Sequence, residues 1–130
     1  MSNAKGFTLI ELLLVIVIMV ILLSIAIPTY QHHITKVKRL DAQTTLLAMA
    51  AKMQQYTAEN HGYIDADGHP PSLAMLGVIK PHTDYQFSVQ ATPETYTLSA
   101  QALGAQASND KGCITLSVTQ SDVKAPTSCW

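Results

Sequence analysis

Charge is scarce in this chain. Only 13% of its 130 residues are Asp, Glu, Lys or Arg, about half the ~25% of an average soluble protein. Eight basic side chains face nine acidic ones, for a formal net charge of −1. A protein built mainly to grip polyphosphate carries a strong basic excess, so that class is disfavoured. Catalytic signatures are missing as well. There is no Gly-x-x-x-x-Gly-Lys-Ser/Thr phosphate loop, which excludes a motor ATPase. There is no Gly-x-Ser-x-Gly nucleophile elbow either. The five histidines (His32, His33, His61, His69, His82) show no zinc spacing such as His-Glu-x-x-His. The expectation is a non-enzymatic protein with no cofactor and no metal.

What the chain has in excess is apolar residues, unevenly placed. Hydrophobic residues make up 48% of the chain, and residues 7–27 hold 18 of them in 21 positions. At ~1.5 Å per helical residue, that run spans ~31 Å, the thickness of a hydrocarbon core. The remainder has the composition of one globular domain. Disordered chains, multi-span membrane proteins and large multidomain enzymes are thereby excluded. Glu11 is the anomaly in the apolar run. A carboxylate there either lies solvated at the membrane boundary or requires a cation partner within the membrane or an assembly. Ser24-Ile25-Ala26 also matches the small-x-small pattern of a secretory cleavage site. Against that stand a charged leader of Lys5 alone, an apolar run longer than a signal peptide needs, and a helical pattern that continues through the supposed cut.

The two cysteines, Cys113 and Cys129, follow a membrane-grade segment. That arrangement suggests export to an oxidising compartment and one disulfide. The alternatives are two free thiols or half a metal site, and the wide spacing without a nearby histidine disfavours zinc.

Lys5-Gly6-Phe7-Thr8-Leu9-Ile10-Glu11-Leu12 resembles the class III signal of type IV pilins and pseudopilins. The following Leu-Leu-Val-Ile-Val-Ile run, Pro28 and Tyr30 sit where pilins place theirs. The resemblance implies cleavage by a prepilin peptidase after Gly6 and N-methylation of Phe7. It also implies pairing of Glu11 with the new Phe7 amine during filament assembly. Cleavage would leave seven basic against nine acidic side chains.

Pro28 predicts a kink near residues 24–27. Beyond it, Tyr30, Ile34, Val37 and Leu40, then Leu46, Met49, Met53 and Tyr56, recur at helical spacing. Both stripes are expected on a buried face, with Met49 and Met53 in the core. One helix is expected from about residue 7 to about residue 60, with Gly62 as its left-handed cap. Lys36, Lys38 and Arg39 form a basic cluster. It is expected on a solvated face, with lipid headgroups, a neighbouring subunit's carboxylate or nucleic acid as its functional contacts. Residues 63–83 carry loop chemistry, including Pro81-His82, and Asp65, Asp67 and His69 faintly suggest a cation site.

Three alternating runs follow, centred on Tyr85–Ala91, residues 95–102 and residues 114–119. Each reads as a half-buried strand, and Thr92-Pro93-Glu94 is short enough for a hairpin. The fold class is α+β: a long N-terminal helix, membrane-spanning in its first half, packed through its second half on a small antiparallel sheet. The expected division is a leader at 1–6, a transmembrane or filament-core helix at 7–29 and a head at 30–130. The C-terminal features Gly104-Ala105-Gln106, Asp110, Cys113 and Cys129-Trp130 resemble a subgroup of type IVa minor pilins. One branch of that subgroup comprises DNA-uptake receptors with a basic surface and more than one disulfide.

The reading is a minor pilin-like subunit that passes from the bacterial inner membrane to an extracellular pilus. Its expected partners are other pilin subunits, a prepilin peptidase, and inner-membrane lipid before assembly. Assembly residues are Glu11 and Pro28, processing residues Gly6 and Phe7. The rival readings are a major pilin, a type II secretion pseudopilin, a DNA-uptake receptor and an ordinary anchored periplasmic protein. DNA binding is not favoured. Its candidate contacts are Lys36, Lys38, Arg39, Lys80, Lys111 and Lys124, with Lys111 and Lys124 foremost, offset by eight acidic residues in the same stretch.

Overall fold

A computed structural model describes residues 6–79 and 82–130. The expectations for Lys5, Lys80 and Pro81 lie outside the described residues. The chain divides into two compact units, one ending at Ile34 and the other running Thr35–Trp130. Thr35 is the first helical residue that folding buries.

Helix α1 runs Leu9–Asn60 and passes through Pro28. Between Leu12 and Ile27 it is apolar on every side, and no residue of its most apolar window is buried. The few polar side chains here satisfy themselves locally. Ser24 donates to the Ile21 carbonyl (2.7 Å) and Thr29 to the Ile25 carbonyl (3.0 Å). A helix that must close its hydrogen bonds internally tolerates them for that reason.

The second unit packs the rest of α1 on a four-stranded sheet. Strands β1 (Tyr85–Ala91), β2 (Tyr96–Ala102), β3 (Thr115–Thr119) and β4 (Lys124–Ala125) lie in chain order. All three pairings are antiparallel, with Phe87 opposite Ala100 and Ala100 opposite Leu116. The period of two sends Tyr85, Phe87, Tyr96, Leu98, Ala100, Leu116 and Val118 into the core. From α1 they meet Ala42, Leu46, Met49 and Met53. The hairpin between β1 and β2 closes through Thr92 and Thr95, whose N–H groups donate to the Thr95 carbonyl and the Thr92 hydroxyl.

Three expectations are corrected. The stripe Tyr30, Val37, Leu40 is not buried: these side chains are 66%, 50% and 60% exposed. At ~100° per residue, Val37 stands opposite Leu46 on the helix and Leu40 about 120° away from it. The sheet-facing phase there is filled by Thr35, Ala42 and Gln43, which no apolar pattern marks. The left-handed cap is His61 (φ 61°), not Gly62. Gly62 is needed for close approach instead, since a Cβ there would stand 3.3 Å from the Pro93 carbonyl oxygen. Ile114 precedes β3 and is 39% exposed. The short helix α2 (Gly104–Asn109) and strand β4 were not expected.

Candidate assembly site

The N-terminus of α1 is closed by a reciprocal pair. The Glu11 N–H donates to the Thr8 hydroxyl (3.3 Å), and the Thr8 N–H donates to Glu11 Oε2 (3.4 Å). The Thr8 carbonyl accepts the first helical bond from the Leu12 N–H (3.2 Å). This is a capping box, with Thr8 as the cap and Glu11 three residues on. The signature Thr-x-x-Glu in the sequence is the local signal for this cap. The cap places a negative group where free N–H groups and the helix dipole favour it. Phe7 beside it is 84% exposed.

From Leu9 to Ile27 the large apolar side chains of α1 stand open, from Leu9 at 82% to Val15 at 47%. Apolar surface of that extent on a monomer marks a surface that another apolar phase covers. One helix in the described residues is long and apolar enough to cross a membrane. Gly6, Phe7, Glu11 and Pro28 all lie in this unit. The described geometry gathers Thr8 with Glu11 and leaves Pro28 seventeen residues further along α1.

In the second unit, the cysteines form the Cys113–Cys129 disulfide. Cys113 sits in a single 3-10 turn just before β3. Arg39 on α1 reaches this corner, with Nη1 2.9 Å from Asp110 Oδ1 and against Cys113 Sγ. Gln106 donates to the Thr35 carbonyl (3.1 Å) and to the Tyr85 hydroxyl (3.0 Å). The Gln43 amide donates to the Cys129 carbonyl. Polar residues of α1 thus fasten α2, the 3-10 turn and the disulfide. Burial raises the Tyr85 pKa above its ordinary value, against the Gln106 hydrogen bond, which lowers it. Burial likewise raises that of Tyr96.

Three of the six described Lys and Arg side chains are neutralised in place. Lys38 pairs with Asp84 (2.6 Å), Arg39 with Asp110, and Lys124 with Asp122 (3.1 Å). Lys124 also lies over the Trp130 ring, 5.8 Å from its centroid. Lys36 and Lys111 are exposed and make no ion pair among the described residues. The Lys36–Lys38–Arg39 cluster is therefore split between an exposed Lys36 and two paired cations. Asp65 Oδ1 accepts from the Asp67 and His69 N–H groups (3.0 and 2.8 Å). It closes a turn, and no metal-holding group of three appears among the described residues.

A long N-terminal helix with an open apolar first half, laid through its second half on an antiparallel sheet, defines the architecture of a filament pilin. Comparison with known proteins agrees. Residues 28–117 match the family described as "Type IV minor pilin ComP, DNA uptake sequence receptor". Residues 1–27 match the prokaryotic N-terminal methylation motif. The chain is 36% identical over 120 residues to the type IV wide pilus major component PilA4 of Thermus thermophilus, covering 86% of this chain and 87% of that one. It is 44% identical over 79 residues to a fimbrial protein of Moraxella nonliquefaciens, covering 61% and 50%. The chain thus spans half the length of that relative. Among solved structures, the non-core minor pilin PilV of Neisseria meningitidis shares the fold at a TM-score of 0.52 and 19% identity, covering 72% of this chain and 86% of that one. The chain belongs to the type IV pilins, in the minor pilin ComP family.

Proposed function

We propose that the protein is a non-enzymatic minor subunit of a type IV pilus, held in the inner membrane by α1 and then added to the extracellular filament. The observation that carries this reading is the open apolar surface of α1 from Leu9 to Ile27. Lipid covers it first, and the helices of other pilin subunits cover it in the filament. A prepilin peptidase cuts between Gly6 and Phe7, and methylation follows on the Phe7 amine. That amine is the cation for Glu11. The test is N-terminal sequencing with intact mass on protein from membranes and from sheared filaments. A mature chain beginning at Phe7 with one added methyl, found in both fractions, is expected. A start at Ile27 overturns the reading in favour of a secreted protein.

A second reading, capture of DNA at the pilus surface, draws on the family match over residues 28–117. Lys111 is its best contact, being exposed and unpaired among the described residues, whereas Lys124 is held by Asp122 and Trp130. A gel-shift titration at physiological salt decides it. Sequence-dependent submicromolar binding lost in Lys111→Glu supports DNA capture. Binding at ~10⁻⁴–10⁻⁶ M that collapses with salt leaves only non-specific contact.

A further inference from the structure

The two sulfurs of the Cys113–Cys129 bond have unlike neighbours. The Arg39 guanidinium donates to Cys113 Sγ, with Nη1 at 2.7 Å. Cys129 Sγ instead stands 3.4 Å from the Gly112 carbonyl oxygen. Burial does not separate the two, since Cys113 is 7% exposed and Cys129 5%. We infer that this disulfide has a direction in thiol–disulfide exchange: an incoming thiol bonds to Cys129, Cys113 leaves as the thiolate, and Arg39 sets that choice.

A thiol of lower pKa leaves faster from a disulfide. A guanidinium stays charged at every relevant pH and favours the charged form of a thiol beside it. The negative end of a carbonyl dipole beside Cys129 does the opposite. Asp110 shares Arg39 at 2.9 Å, which holds the guanidinium in place and tempers its field. The other titratable groups of this corner do not reverse the sign. Lys111 in the same turn is exposed and adds positive charge. The Tyr85 phenol, linked through Gln106, stays protonated near neutral pH.

The step balances without an external oxidant. The incoming thiolate forms a bond to Cys129 Sγ, the Cys113–Cys129 bond breaks, and its electron pair departs on Cys113 Sγ beside Arg39. Reclosure is the reverse: Cys113 attacks Cys129 Sγ and expels the partner's thiolate. Access requires the turn Thr127–Cys129 to lift, and Arg39 and Asp110 lie outside that turn. Arg39 belongs to α1, whereas Cys113 sits in the 3-10 turn before β3. Cys113 is therefore activated only while α1 is packed on the sheet, so that closure follows packing of the head.

The experiment treats the full-length oxidised chain in detergent micelles with glutathione, quenches with acid and maps the mixed disulfide by mass spectrometry. Glutathione should be found on Cys129 in about threefold excess over Cys113, the order set by a leaving thiol about one pKa unit more acidic. Equal amounts, or an excess on Cys113, overturn the inference. Alkylation by iodoacetamide against pH supplies the second readout. Cys113 in Cys129→Ser should titrate about one unit below Cys129 in Cys113→Ser. In the Cys129→Ser chain, Arg39→Gln should raise the Cys113 midpoint and Asp110→Asn should lower it. Both substitutions break the same ion pair, so a purely structural loss moves the midpoint in one direction for both, and that result overturns the inference. Where a substituted chain does not fold, the glutathione map of the parent chain decides alone.

Discussion

Leu14 and Leu46 are the same side chain on the same helix, and their surroundings are opposite. Leu14 is 60% exposed and Leu46 is fully buried. In the second unit, apolar residues follow a phase: Leu46, Met49 and Met53 meet Leu98 and Leu116. Between Leu12 and Ile27 they follow none, and every side of α1 is apolar. A helix apolar on one face stabilises its own domain, whereas a helix apolar all round needs surroundings that the monomer does not supply. The contrast teaches that hydrophobic content alone does not mark a core. Periodicity does, and its loss over 18 of 21 residues in 7–27 signals an external partner.

The sharpest way to break the comparison is to make one substitution in both places. Leu46→Ala should destabilise the head by about 3–5 kcal/mol through lost transfer energy and a residual cavity. Leu14→Ala should leave head melting in micelles unchanged. Equal losses would mean that the two units unfold as one.

The disulfide gives the next largest effect. Its reduction, or the Cys113→Ser/Cys129→Ser variant, should lower head stability by ~2–4 kcal/mol, read by chemical denaturation with and without reductant. Alkylation of native, non-reduced protein should find no thiol at either position.

Alkaline titration sharpens the contrast further. The buried phenols of Tyr85 and Tyr96 have raised pKa values in the folded head. Their contribution is fully present below the ordinary tyrosine value of ~10 and is lost as pH rises through the higher folded values. Head stability should therefore fall above about pH 10, and Tyr85→Phe with Tyr96→Phe should flatten that fall in thermal melts.

The smallest effect concerns the end of α1. His61 holds a left-handed conformation that costs a side-chain-bearing residue energy. His61→Gly should raise stability by about 0.5–1 kcal/mol, whereas Gly62→Ala should lower it because the Pro93 carbonyl is 3.3 Å from the added carbon. Paired denaturant melts separate the two.

Much of this was legible in residue order. Alternation in residues 85–91, 95–102 and 114–119 marked the three main strands, with Ile114 falling just outside the third, because a sheet with one wet face imposes a period of two. The run at 7–27 and the carboxylate within it marked the candidate assembly site, whose apolar surface stands open. Three features were hidden for physical reasons. The sheet-facing surface of α1 near residues 35–43 is lined by Thr35 and Gln43, buried through hydrogen bonds rather than by apolarity. Strand β4 is two residues long, too short for any period. The Arg39–Asp110 pair joins residues 71 positions apart, and no local spacing encodes it. The Thr8 cap is written plainly in Thr-x-x-Glu.

The strand order β1-β2-β3-β4 follows the chain, so each hairpin can close once its second strand has emerged. The Cys113–Cys129 bond cannot. It requires residue 129, which follows all four strands in the chain. A product cut short before that residue would keep its sheet sequence and yet carry a lone thiol at Cys113. A free thiol at this corner is therefore the chemical signature of a chain that lacks its last residues.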